Sequence, residues 1–205
     1  GEPDLVARLV VGGRQAASDH DRRLLAAVPA RRTVRLPFTI DTVPVALQVA
    51  WRDLTFADAS WKSGAGELGY GDGDEVTVVE DDATPGSPTP GSTTRYITTY
   101  FRRKFTVTNK SGLAALVLTV KRDDGAVVYL NGTVISDDAI QNGLANTPGF
   151  LDGANNAGDD GRTLNTVNLQ NGQDLLLEGE NILAVEVHQQ DGSSSDISFD
   201  LSLVA

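Results

Sequence analysis

The sequence predicts an all-β protein, an antiparallel β-sandwich. Three observations carry that expectation. From Thr33 onward, short runs of β-branched and aromatic residues are separated by glycine, aspartate and proline punctuation. Several of these runs alternate apolar and polar residues, as in Leu116-Val117-Leu118-Thr119-Val120-Lys121, where 116, 118 and 120 face a core. Irregular loops, rather than helical stretches of crossover length, separate the runs, which argues against βαβ units.

The elements are these, in chain order. Leu5–Val11 reads as a strand set apart from the next segment by Gly12-Gly13, and Ser18–Val28 as a short helix capped by Ser18 or Asp19 and ended by Pro29. These residues form an atypical N-terminal extension, 1–32, before a sandwich domain at 33–205. Within the domain the expected strands are Val34–Ile40, Val45–Trp51, Val76–Val79, Tyr96–Val107, Ala114–Lys121, Val127–Leu130, Thr163–Asn168, Ile182–Gln189 and Asp196–Val204. In Ile182–Gln189 the inward set is Leu183, Val185 and Val187, with Glu186 and His188 on the opposite, polar face. Val127–Leu130 stops at Asn131-Gly132, the strongest short hairpin signal. The stretch Asp81–Thr94 has a linker's composition but is read as a long surface loop, because strands of one sandwich flank it.

Composition bounds the partners. The 205 residues suit one large domain, and the net charge of −11 argues against nucleic acid and anionic membrane surfaces. Arg102-Arg103-Lys104 is the nearest thing to a basic cluster, and its place in an alternating strand predicts a solvated face. No apolar run approaches the length of a membrane span, so no membrane insertion is expected. Without cysteine there is no disulfide or thiolate site. The chain has no methionine and no signal peptide, and the expectation is a trimmed, secreted, extracellular protein.

Four motifs occur in a telling order: Thr98-Thr99-Tyr100-Phe101-Arg102-Arg103-Lys104-Phe105, Arg122-Asp123-Asp124-Gly125-Ala126-Val127-Val128-Tyr129-Leu130-Asn131-Gly132, Glu178–Gln189, and Ser194–Leu201. Phe56-Ala57-Asp58-Ala59-Ser60-Trp61-Lys62 and Leu68-Gly69-Tyr70-Gly71-Asp72-Gly73-Asp74 precede them. Together they resemble the galactose-binding-like jelly-roll domains of secreted bacterial enzymes and surface proteins. More loosely, they are similar to the sugar-binding sandwich of beta-galactosidase-type glycosidases. The resemblance covers about residues 51–205. It implies a jelly roll and a carbohydrate-binding or cell-surface accessory role, with a polysaccharide or surface glycan as partner. The tryptophan-bearing strand that usually opens the family is not recognisable; either residues 33–50 replace it or the domain is rebuilt at this edge.

The candidate site residues are acidic. The Asp-Asp-Gly stretch at Asp123 and Asp124 is similar to one in yeast flocculins and anthrax-toxin-like proteins, where it holds calcium that bridges to sugar hydroxyls. Paired carboxylates supply hard oxygen ligands, and glycine lets the backbone fold close to an ion. The same carboxylates suit an Asx-turn at a strand opening. Two further loops compete for a structural calcium: the one bearing Asp72 and Asp74, and the one bearing Asp159 and Asp160. Neither has the spacing of a helix-loop-helix calcium site, and flexible acidic turns are the alternative for both.

Tyr70, in a glycine-rich loop, is the candidate exposed ring for a sugar, whereas Trp61 is expected in the core. No catalytic set emerges, and the chain is not expected to be an enzyme. Glu186 and His188 share a strand face and could form an acid/base couple, but a polar outer face explains them better. Ser193–Asp196 lacks a nucleophile elbow and reads as a turn. The runner-up function is a surface filament in which residues 5–11 self-associate by adding a strand to a neighbouring subunit.

Overall fold

The computed structural model describes residues 10–12, 50–79, 95–113 and 115–205. It is a β-sandwich. Among the described residues, in chain order, the strands are β1 (Val10–Gly12), β2 (Lys62–Ser63), β3 (Leu68–Tyr70), β4 (Thr77–Val78), β5 (Thr98–Val107), β6 (Ala115–Arg122), β7 (Gly125–Leu130), β8 (Thr133–Val134), β9 (Asn165–Gln170), β10 (Gly179–His188) and β11 (Ile197–Val204), and the short α-helix α1 spans Asp138–Gln141. One sheet runs β2-β1-β5-β10-β7-β8 and the other β4-β3-β11-β6-β9. Among the described strands, the pairing of β3 with β4 is parallel and the rest are antiparallel.

The expected strands that lie within the described residues are present, with ends shifted by a few positions. Asn131-Gly132 makes the two-residue hairpin between β7 and β8: both residues have positive φ, 50° and 84°, as a turn matching strand twist requires. Three strands escaped the sequence reading, β2, β3 and β8, each too short to show a period. The expected helix at 18–28, the strand at 34–40, the loop at 81–94 and the boundary at 32/33 lie outside the described residues, as does the strand at 45–51 apart from Ala50 and Trp51, which are helical and turn. Of the expected N-terminal strand, Val10–Gly12 is described, and it pairs with β5 and β2 of its own chain.

Leu183, Val185 and Val187 of β10 point inward as expected, meeting Leu118, Phe199 and Leu203 of the other sheet in one apolar core. Phe101 and Phe199 stack across it at 4.5 Å. The other face of the six-stranded sheet is where the sequence reading fails. It is not solvated. A second apolar cluster lies there, with Trp51, Leu144 and Ala154 packed over Val127, Tyr129, Ile182 and Ala184. All six residues of β7 are therefore buried.

Two ion pairs of opposite polarity fasten this cover. Arg52 of the cover meets Glu186 of β10 at 3.2 Å and lies 3.9 Å over the Tyr129 ring. In return, Arg102 of β5 meets Asp58 at 3.0 Å and donates to the Asp53 carbonyl at 2.8 Å. The expected solvated face for Arg102 is thus corrected: it is fully buried, with Phe56 against its guanidinium. Burial is tolerable because carboxylate, carbonyl and ring together replace water.

Candidate functional site

Two short crossovers join the sheets at the same end of the sandwich. Asp123-Asp124 joins β6 to β7, and residues 189–196 join β10 to β11. Because β10 pairs with β7 and β11 with β6, the two crossovers run side by side. The Asp123 N–H donates to the Ser198 carbonyl at 2.9 Å, which locks one crossover to the foot of the other. Between them and residues 156–160 lies a polar cavity of about 280 Å³. Asp123, Asp124, Asp160, Asp191 and Asp196 line it with Asn156, Gln190 and Ser193–Ser195; among the described residues no lysine or arginine forms its wall, but Arg162 pairs with Asp160 at 3.4 Å and Arg95 donates to the Ser195 carbonyl at 2.6 Å.

The adjacent aspartates differ in role. Asp124 accepts the Ala157 N–H at 2.8 Å on Oδ1 and the Gln190 N–H at 2.7 Å on Oδ2. It is a structural clamp between three segments, a long-range version of the Asx-turn reading. Asp123 is also buried, at 4 % exposure; among the described residues no N–H donates to its carboxyl, which instead shares a hydrogen bond with Asp124. Its nearest company is acidic. Burial, then Asp124, Asp196 and Asp72, push its carboxyl up to about 8. Burial likewise raises Asp196, with help from Asp72, Asp160 and Asp124 and despite the hydrogen bond from Ser195.

Asp72 reaches this group from the β3–β4 turn, where its Oδ2 accepts from the Ser198 hydroxyl at 2.8 Å. The turn is closed by Glu75, which accepts from the N–H groups of Asp72 and Gly73 at 2.9 and 3.0 Å. Asp74 points elsewhere. It lies 3.6 Å from Lys121, whose ammonium also bonds Glu67 at 2.5 Å. Asp159 turns inward to accept the Thr163 N–H at 3.2 Å and does not line the cavity, while its neighbour Asp160 does. Of the three loops expected to compete for one ion, two meet at the pit, through Asp123 and Asp124 and through Asp160, while Asp72 is tied to Ser198 beside it.

Tyr70 is not the exposed ring anticipated. It is buried at 8 % exposure, with Arg95 4.7 Å above its ring and its hydroxyl accepting from Gln189 at 3.1 Å. The inward alternation of β3 puts it in the core. Trp61 is half-buried rather than central, edge-on to Phe56 at 5.7 Å.

Glu186 and His188 are corrected as well. Both are buried, at 1 % and 0 % exposure, beneath the cover. Glu186 accepts from Arg52 and from the Tyr129 hydroxyl, the latter at 2.6 Å. His188 Nδ1 lies 2.7 Å from the Asp152 carbonyl, which can only accept, so that nitrogen carries the hydrogen. Its Nε2 faces Glu186 at 3.4 Å. A couple so enclosed meets no substrate. Sequence reasoning also missed Asp191, Asp196, Glu67 and Lys121, which are single charged residues beside turns and carry no motif.

No family model matches the sequence, and no curated protein matches it. Solved structures of similar shape include glycosidases. A glycosyl hydrolase family 2 member from Bacteroides cellulosilyticus aligns over 98 % of this chain and 20 % of its own, at TM-score 0.46 and 11 % identity. Bacteroides uniformis beta-glucuronidase 2 aligns over 98 % and 17 %, at 0.45 and 12 %. A calcium-binding mutant of the same enzyme aligns over 98 % and 18 %, at 0.42 and 12 %. The chain spans a fifth or less of each of these proteins.

Proposed function

We propose that this chain is a non-catalytic, extracellular carbohydrate-binding or accessory module, and that its ligand meets a calcium ion in the acidic pit. One observation carries the reading. The Asp123 carboxyl is buried, receives no N–H from the described residues and shares a hydrogen bond with Asp124, at a cavity whose described lining is rich in carboxylates. Such a group either keeps a proton or takes a cation.

The donor set fits calcium. Aspartate, asparagine, glutamine and serine oxygens are hard ligands, and several come from loops that can adjust to seven or eight oxygens. Asp123 and Asp196, with serine and amide oxygens of the cavity wall, would hold the ion, while Asp124 keeps the crossovers in place. Calcium supplies open coordination positions to which sugar hydroxyls can bind. Asn156, Gln190 and Ser194 stand at the rim as hydrogen-bonding partners for the same ligand. The motif resemblance supplies the carbohydrate class, and the enclosure of Glu186 and His188 supports a non-catalytic role.

A glycan array probed with calcium and again with chelator tests this. The expected result is binding with calcium, lost in chelator and in Asp123→Asn. Absence of binding to plant, algal and bacterial glycans, with calcium present, would overturn the carbohydrate reading. Strand donation between copies has less support, because Val10–Gly12 pairs within its own chain.

A further inference from the structure

Beside the pit lies a second carboxylate cluster, formed by Glu67, Asp72 and Asp74, with one oxygen from each lying within 4.8 Å of the others. We propose that the Lys121 ammonium is the resident cation of this cluster and that it keeps the cluster closed to divalent ions. Calcium binds oxygen at 2.3–2.6 Å, so oxygens up to about 5 Å apart can touch one ion. The spacing of this cluster meets that condition. What stands there is an amine, 2.5 Å from Glu67 and 3.6 Å from Asp74.

Lys121 is placed for this by the sheet. It sits on the outer face of β6, opposite Asp200 of β11, and its stem crosses β11 to reach the residues flanking β3. Its side chain is 15 % exposed and that of Glu67 13 %, so the pair is largely withdrawn from water. The ammonium does not saturate the cluster. Glu67 Oε1 is buried with no hydrogen-bond partner, an acceptor held ready for a cation with more coordination positions than an amine has hydrogens in reach. Asp72 links the cluster to the pit electrostatically, since its charge also acts on Asp123 and Asp196. Lys121 neutralises Glu67 and Asp74 of this cluster, so the single divalent ion expected beside it is the ion of the pit. That last count rests on the calcium reading given above; the role of Lys121 does not.

Calcium bound per chain, measured by equilibrium dialysis with radioactive calcium, separates the two. The expectation is one more ion in Lys121→Met than in the wild type, a wild-type count in Lys121→Arg, and a return to the wild-type count in Glu67→Gln/Lys121→Met. An unchanged count in a folded Lys121→Met overturns the proposal. Should Lys121→Met be unfolded in chelator, recovery of its native near-ultraviolet dichroism on adding calcium supports the proposal, and failure to recover overturns it. A wild type that binds none beside a Lys121→Met that binds one removes calcium from the pit and leaves the role of Lys121 standing. No binding by either removes both.

Discussion

Asp123 and Asp124 are adjacent, both acidic and both buried, and substituting them moves stability in opposite directions. Asp124 accepts two backbone N–H groups. A hydrogen bond to a charged acceptor contributes about 1.5–3 kcal/mol, so Asp124→Ala costs about 3–6 kcal/mol. For a chain of this size that is roughly 6–24 °C in melting temperature. Asp123 accepts no N–H from the described residues. Holding its proton at pH 7 costs up to about 4 kcal/mol relative to an ordinary carboxyl, and solvent at the open mouth of the pit lowers this to about 1–2 kcal/mol. In chelator, Asp123→Asn is therefore expected to melt a few degrees above the wild type. Calcium reverses the order. With dissociation constants of about 10⁻⁴–10⁻³ M, common for extracellular modules, 10 mM calcium adds about 1.4–2.7 kcal/mol to the wild type and nothing to Asp123→Asn. Scanning calorimetry of the three proteins, with chelator and with calcium, reads all of this. If Asp123→Asn melts as low as Asp124→Ala in chelator, and calcium still stabilises it, the assignment of roles is wrong.

The same geometry sets other outcomes. Because the folded value of Asp123, about 8, lies above the unfolded one, its contribution to stability is full below about pH 4. That contribution declines as pH rises, until pH passes the folded value. In chelator, wild-type stability relative to Asp123→Asn should fall between pH 5 and 8, and a flat difference would contradict the burial of that carboxyl. Arg102→Met strands Asp58 and opens the Asp53 carbonyl, a loss of about 3–5 kcal/mol by chemical denaturation, as expected for breaking a buried pair. A loss below 1 kcal/mol would mean that the cover is not fastened there. Deleting residues 1–13 removes β1 from between β2 and β5, and the melting temperature should fall and recover on adding a peptide of residues 5–13. Unchanged stability would show that this strand contributes nothing.

The sequence exposed most of the long strands because Leu116–Lys121 and Ile182–Gln189 repeat every two residues and Asn131-Gly132 closes a turn. It misassigned the outer face of β10 for a physical reason. Alternation says which residues share a face, not what covers that face, and Glu186, His188 and Arg102 look solvated until Trp51, Arg52 and Asp58 lie over them. The acidic loops were visible one at a time. That Asp123, Asp160 and Asp196 share one pit depends on β6 and β11 being neighbours, and the turn at Ser193–Ser195 carries no sign of that pairing. Tyr70 was misread because glycines on both sides suggested a loop, whereas Leu68–Tyr70 is a three-residue strand with every side chain buried.

The two crossovers give the sandwich a mechanical character. Its sheets touch mainly through apolar side chains, and such faces can slide over one another without breaking a directional bond. Asp123-Asp124 and Gln190–Asp196 are covalent bridges between the sheets, and the Asp124 carboxylate rivets one bridge to the other through Gln190. A load on β11, the last strand, passes at once into β6 by the ladder and into β10 by the chain, so both sheets share it. Peeling the C-terminal strand must tear this end of the sandwich open, not unzip one pair of strands.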